Sequence, residues 1–184
     1  DSDFQSPFDE VFRREEQAEK RHDSAIEIED FQAVGMLLRE SLIALIEAVR
    51  RRTTISINQE LPQSANFIDW SDLLLNELCG GSSNKTLRQH LKTLAKDTWQ
   101  LVNWQTHSKS IDKTASSVAI HSCQTVIGHF IQVLERQKSD DIATCPVCSS
   151  RNIRVHFDIA IGTDGDYFSS CGVCEWTDYP EEPT

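Results

Sequence analysis

The 184-residue sequence predicts a mainly α-helical fold, in which an antiparallel helical bundle is followed by a small C-terminal β-hairpin. Three observations carry this prediction. Apolar residues recur at three- and four-residue steps between residues 30 and 138, the period changes to two after residue 152, and two Cys-x-x-Cys pairs flank the alternating segment. The helical and the alternating segments would therefore form separate parts of the protein.

Residues 1–29 are dense in charge and poor in apolar side chains. Glu16 and Lys20 have the spacing of a helical ion pair. We expect a charged N-terminal helix or a linker here, ahead of a bundle over residues 30–138.

A long helix is predicted to begin at Asp30, because apolar residues then repeat with a helical period: Phe31, Val34, Leu38, Leu42, Leu45 and Val49. Arg50, Arg51 and Arg52 follow at its C-terminal end, where cations interact favourably with the helix dipole. This triplet is interpreted as a charged helix end, with a phosphate-binding patch as the alternative.

Three further helices complete the predicted bundle. A short one begins near Asp69 and ends at Gly80-Gly81, and a longer one, capped by Asn84, reaches about His107. Asp112 is expected to cap the last helix. Short connections between these helices favour antiparallel packing.

The polar segment at residues 139–141 separates the bundle from a zinc-ribbon segment over residues 139–184. A strand in the zinc-ribbon segment is predicted from alternating apolar residues: Ile153, Val155, Phe157, Ile159 and Ile161. A turn is expected at residues 162–166, between arms of nine or ten residues. This places one cysteine pair at each base of the hairpin.

The two cysteine pairs predict a metal site formed by Cys145, Cys148, Cys171 and Cys174. Zinc prefers four thiolate or imidazole ligands in a tetrahedron, and two residues between paired cysteines allow one tight turn to present both sulfurs. Four protein ligands leave no position for an activated water, so we expect one structural zinc per chain. A redox-active thiol pair is the alternative, and His156 is a fifth candidate ligand on the polar face of the strand. With Trp176 after the second pair, residues 143–179 resemble a zinc ribbon.

Composition limits the partners and the compartment. The chain has 29 acidic and 18 basic residues, a net charge of −11, and the segment 139–184 has nine acidic residues against Arg151 and Arg154. This charge disfavours binding to a phosphate backbone and favours a protein partner. We find no apolar run of membrane-spanning length and no secretory signal, so a cytoplasmic protein without membrane contact is expected. The sequence does not begin with Met, and it leaves open whether the chain is a piece of a longer protein.

The residues Trp99 to His107 contain a polar Asn103-x-x-x-His107 pattern at a predicted helix junction. With this pattern, residues 30–138 resemble the HEPN superfamily of small helical domains. The resemblance implies a bacterial defence or toxin-antitoxin setting and a homodimer. Active members are metal-independent ribonucleases in which four to six residues separate an Arg from the His that follows it.

That motif is broken in this sequence, because the positions that would carry the Arg are Gln100, Leu101 and Val102. Without a guanidinium, no group is evident that would stabilise the charge developing on phosphate. We therefore predict a non-catalytic interaction or regulatory module in which Asn103 and His107 have a binding role. The alternatives are a ribonuclease with an atypical site around His107, and a nucleic-acid-binding ribbon protein that uses the Arg50–Arg52 triplet with Arg151 and Arg154.

Overall fold

Five α-helices and a C-terminal antiparallel β-hairpin form the structure, a computed structural model that describes residues 6–56, 58–140 and 144–180. The mainly α-helical fold predicted from the sequence is confirmed. In chain order the elements are α1 (Asp9–Asp23), α2 (Ile28–Arg50), α3 (Phe67–Leu78), α4 (Lys85–His107), α5 (Lys113–Asp140), β1 (Ile153–Asp158) and β2 (Asp166–Cys171).

The charged N-terminal segment forms helix α1 and packs against α2. Val11 and Ala18 are fully buried in the same core as the apolar face of α2. The Ser41 hydroxyl donates a hydrogen bond to the Val11 carbonyl at 2.9 Å. The turn between the two helices is closed by a capping box, in which Glu27 and Asp30 each accept from the other's backbone N–H. The division of the chain at residues 29 and 138 stays a prediction.

Helices α2 and α4 run antiparallel and approach each other closely at Gly35. A Cβ atom at Gly35 would lie 3.0 Å from the Thr106 nitrogen. At one end of the contact the Gln32 side chain donates to the Ser108 carbonyl at 2.8 Å, and further along α2 the Arg39 guanidinium lies 5.7 Å from the Trp99 ring centroid. This close approach makes the two helices the central pair of the bundle.

Capping follows the sequence prediction at one helix and differs at another. The Asp112 carboxylate accepts from the Ala115 N–H at 2.8 Å and caps α5, as predicted. Asn84 occupies the N-cap position of α4, as predicted, but its side chain makes no capping hydrogen bond. A 3₁₀ turn at Ser82–Asn84 precedes α4, and within it the Asn84 amide donates to the Gly80 carbonyl at 2.8 Å.

The hairpin is shorter than predicted. Its strands are six residues each, rather than nine or ten, and Phe157 pairs with Tyr167. The Asp158 side chain accepts from the Ala160 N–H and ends β1 before Ile159 and Ile161. Because the apolar alternation continues through these two residues, the predicted strand was too long.

Candidate metal centre

Four cysteine sulfurs converge at the base of the hairpin. The Sγ atoms of Cys145, Cys148, Cys171 and Cys174 all lie within 4.8 Å of one another. Cys145 and Cys171 are buried, Cys148 is exposed and Cys174 is half-buried. The structure thus brings together all four residues that the sequence predicted as metal ligands.

The sulfur separations fit a tetrahedral metal and exclude disulfides. The distances from Cys145 to Cys174 and from Cys148 to Cys171 are both 3.6 Å. A tetrahedron with zinc–sulfur bonds of ~2.3 Å has sulfur–sulfur edges of ~3.8 Å, whereas a disulfide bond is ~2.05 Å long. The four thiolates are also the soft donor set that zinc accepts, so the residues present fit this ion.

Each pair sits on a tight turn that directs backbone N–H groups at the first sulfur. The Val147 N–H donates to Cys145 Sγ at 3.4 Å, and the Val173 N–H donates to Cys171 Sγ at the same distance. The Cys174 N–H is a second donor to Cys171 Sγ, at 3.5 Å. Such donors stabilise thiolates and orient them toward a metal.

Hydrogen bonding also separates the proton affinities of the thiols. The N–H groups of Cys174 and Val173 lower the pKa of Cys171 to about 6. At Cys174 the N–H of Trp176 acts in the same direction, but burial and thiol–thiol hydrogen bonds together outweigh it and raise the pKa to about 12. The pKa values of Cys171 and Cys174 shift in opposite directions because the four thiols share protons. A bound cation would replace those protons and favour the thiolate form at each sulfur.

The two turns are held against each other by backbone contacts. The Gly172 N–H donates to the Asn152 carbonyl at 2.8 Å, and the Cys171 N–H donates to the Trp176 carbonyl at 2.9 Å. A Cβ atom at Gly172 would come within 2.5 Å of the Asn152 side chain, so this position needs glycine or a displaced Asn152. After the second pair the chain returns to the sheet, where Thr177 forms a bridge with Ser170.

His156 lies apart from the sulfur cluster. It pairs with Phe168, its ring stacks on the Phe168 ring at 5.0 Å, and its Nε2 lies 2.8 Å from the Ser170 hydroxyl. The side chain is exposed, as its position on the polar face of the strand indicated. Among the described residues, the metal-ligating group consists of the four cysteines alone.

The hairpin rests on the bundle through its other face. Tyr167 packs against the main apolar core, and burial raises its pKa to about 12. Arg52, just beyond α2, lies 6.0 Å from the Phe157 ring centroid and donates to the Asp164 carbonyl at 3.1 Å. The hairpin turn is therefore connected to the C-terminal end of α2.

Asn103 and His107 lie one helical turn apart at the end of α4. Asn103 is half-buried and His107 is exposed. Neither side chain has a hydrogen-bond partner in the part of the chain that the structure describes. A binding role for these two residues stays a prediction.

The arginines of the Arg50–Arg52 triplet lie far from His107. Gln32, at the other end of α2, contacts Ser108, and the 18 residues from Gln32 to Arg50 span ~27 Å of helix. The triplet is also engaged elsewhere. Arg50 lies 4.8 Å from the Trp70 ring centroid, and Arg51 forms an ion pair with Glu47 at 3.3 Å.

Sequence reasoning missed several residues of structural importance. Gln105, to which the sequence pattern assigned no role, is completely buried, and Arg52 and Tyr167 join the hairpin to the bundle. Arg39 is the arginine that packs on α4. The one signal in the sequence was helical spacing. Gln105 lies three residues after Val102, on the apolar face of its helix, and this spacing could have predicted its burial.

Comparisons with protein-family models, with curated proteins and with solved structures give no match to this chain. Separately, none of the helices in the described ranges combines the length and the apolar character that a membrane span requires.

Proposed function

We propose that Cys145, Cys148, Cys171 and Cys174 hold one structural zinc ion per chain, and that the protein is a non-catalytic zinc-binding module for interaction or regulation. The observation that carries the proposal is the convergence of four sulfurs to within 4.8 Å on two tight turns. Structural zinc sites have this donor set and spacing. When bound, the ion supplies a cross-link between the two turns.

A structural role follows from the number of ligands. Four protein sulfurs complete a tetrahedral zinc coordination sphere, and catalytic zinc sites need an open position for water or substrate. A two-stranded sheet is also too small to be stable by itself. The chain's own residues contribute two backbone N–H donors to Cys171 and the contact of Gly172 with Asn152. Metal binding and folding of the hairpin would therefore be coupled.

Metal analysis of freshly purified protein tests the proposal. We expect one equivalent of zinc, retained on dialysis and released by acid or strong chelator. Cys148→Ser should lose the metal, whereas Cys79→Ala, which removes a buried thiol outside the cluster, should retain it. Less than half an equivalent in the wild type, or equal loss in both variants, would contradict the proposal.

The helical half supports a HEPN-like role without ribonuclease activity. The four predicted helices of residues 30–138 are present, and Asn103 and His107 lie at the junction after α4. No arginine occupies residues 100–102, and the Arg50–Arg52 triplet of the same chain is at the other end of α2. The proposed setting, a bacterial defence or toxin-antitoxin system, rests on the resemblance alone.

An RNA assay separates this proposal from its alternatives. The net charge of −11 leaves few sites for counterion release, so we expect weak, salt-sensitive binding and no cleavage over hours. Cleavage that persists in chelator and disappears in His107→Ala would establish the ribonuclease. Submicromolar binding at physiological salt that is lost in Arg151→Ala/Arg154→Ala would establish the nucleic-acid-binding ribbon.

We also propose that the protein forms a homodimer through the C-terminal half of α4. Trp104 is 45% exposed and follows Asn103. Tryptophan is enriched among residues that dominate binding at interfaces, so a large exposed Trp beside half-buried polar groups supports an interface here. Light scattering should give a dimer that dissociates in Trp104→Ala and persists in Val118→Ala, a control at an exposed apolar residue of α5. A monomer at all concentrations would contradict the dimer.

A further inference from the structure

A buried polar chain connects four helices at one end of the bundle. The amide nitrogen of Gln105 on α4 donates to the Phe31 carbonyl of α2 at 2.8 Å and to the Ser116 hydroxyl of α5 at 3.1 Å. The same hydroxyl lies 3.0 Å from Nδ1 of His22, in the last turn of α1. Gln105 and Ser116 are completely buried, and His22 is half-buried.

The direction of these hydrogen bonds fixes the protonation state of His22. Gln105 Nε2 can only donate, so the Ser116 oxygen accepts there. In the part of the chain that the structure describes, His22 Nδ1 is the remaining partner for the Ser116 hydrogen. His22 Nδ1 must then accept, which requires a neutral imidazole with its hydrogen on Nε2.

A proton added at Nδ1 would disrupt this arrangement. The Nδ1–H would then donate to the second lone pair of the Ser116 oxygen, and the serine hydrogen would lose its buried acceptor. Gln105 cannot compensate by reversing its amide, because Nε2 is needed by the Phe31 carbonyl. A buried hydroxyl donor would be left unsatisfied.

The charges around His22 on balance oppose its protonation. Burial lowers its pKa, and Lys113 and His121 on α5 act in the same direction, while Asp23 on α1 opposes them. From α2, the Phe31 ring faces His22 at 6.3 Å, and the nearby Asp30 carboxylate is engaged by Arg21 at 3.2 Å. No charged side chain of α4 is found against it among the described residues.

We propose that the His22–Ser116–Gln105 chain is a pH-sensitive latch that docks the C-terminal end of α1 onto the bundle and releases it in mildly acidic conditions. Because the pKa of His22 is lower in the folded protein than its ordinary value of ~6.5, the docked state is fully favoured above that value and weakens as the pH falls below it. The N-terminal half of α1 stays attached through Val11 and the ion pair of Arg14 with Glu40.

Hydrogen exchange between pH 7.5 and 5.5, corrected for the intrinsic rates, tests the latch. In the wild type we expect amides of residues 19–25 to lose protection about fivefold at the lower pH, which corresponds to one buried donor left without an acceptor. In His22→Gln the protection should not depend on pH, while His90→Gln, a control at an exposed histidine of α4, should behave like the wild type. Equal pH dependence in the wild type and His22→Gln would overturn the proposal.

A second measurement keeps the proposal testable if His22→Gln disturbs the fold. Nitrogen chemical shifts of the wild-type imidazole report which ring nitrogen carries the hydrogen. We expect the Nε2–H form of His22 at pH 7.5. A predominant Nδ1–H form, or a charged ring at that pH, would overturn the latch regardless of the exchange data.

Discussion

Arg52 donates a hydrogen bond from Nη2 to the backbone carbonyl of Asp164 at 3.1 Å and, from Nη1, a second to the Ala48 carbonyl at 3.2 Å. One side chain thereby joins the last turn of α2 to the turn of the β-hairpin. Burial lowers the pKa of this guanidinium, and the neighbouring Asp164 and Asp166 oppose that shift. Arg52 is therefore a structural link between the helical bundle and the β-hairpin.

Arg52→Ala should weaken the docking of the hairpin on the bundle. The variant loses two hydrogen bonds from a charged, half-buried donor and the contact with the Phe157 ring, so we expect a loss of about 1–2 kcal/mol in the free energy of unfolding. Arg51→Ala is the control, because Arg51 is exposed and pairs only with exposed Glu47 among the described residues. Equal denaturation midpoints for the two variants would show that Arg52 does not couple the parts.

The hairpin turn offers a matched pair of glycine substitutions. Gly162 and Gly165 both have positive φ, 68° and 74°. A Cβ atom at Gly165 would also lie 2.4 Å from Phe157 Cζ, whereas nothing lies within 4 Å at Gly162. Gly162→Ala should cost about 1 kcal/mol from backbone strain. Gly165→Ala should cost clearly more and lower the apparent zinc affinity, measured by competition with a chromophoric chelator. Identical affinities would contradict this account of the turn.

A second glycine pair tests the packing of α2 on α4. Gly35→Ala would place a methyl group 3.0 Å from the Thr106 nitrogen, and we expect a loss of about 1–3 kcal/mol because the helices must separate. Gly128 in α5 has no atom within 4 Å of the added Cβ. Gly128→Ala should instead stabilise the helix by about 0.5–1 kcal/mol. Chemical denaturation of both variants measures the two effects, and destabilisation by Gly128→Ala alone would be inconsistent with the predicted packing.

Alkaline pH should weaken the contact of the hairpin with the bundle. Burial raises the pKa of Tyr167 to about 12, above its ordinary value of ~10. The neutral phenol is favoured in the folded protein, so its contribution is complete below pH ~10 and is lost as the pH rises toward 12. Tyr167→Phe should flatten the decline of stability in this range. The readout is the denaturation midpoint as a function of pH, and equally steep profiles in the wild type and Tyr167→Phe would exclude Tyr167 as the group responsible.

The helices and the ligands were predictable from sequence for physical reasons. The 3.6-residue period identified α2 to α5, and Cys-x-x-Cys spacing is a local property of one tight turn, so the four ligands required no knowledge of the fold. The strand length was overestimated because Ile159 and Ile161 kept the alternation while Asp158 ended β1. The Asn84 side chain does not cap α4, because its amide donates instead to the Gly80 carbonyl.

Contacts between distant parts of the chain were not predictable from local pattern. Arg52 reaches a turn 112 residues later, and His22 reaches Ser116 across 94 residues. No periodicity reports such pairings, since they depend on how the helices pack. The hydrogen bonds of buried Gln105 were equally unpredictable, because its partners come from α2 and α5.

X-ray absorption at the zinc edge of the purified protein tests the central claim most directly. A closed four-cysteine site predicts four sulfur scatterers at ~2.3 Å and none at the ~2.0–2.1 Å of nitrogen or oxygen ligands. Cys79→Ala should give the same spectrum. A shell with fewer than four sulfurs, or with a light atom in the first shell, would contradict a structural zinc ion held by Cys145, Cys148, Cys171 and Cys174.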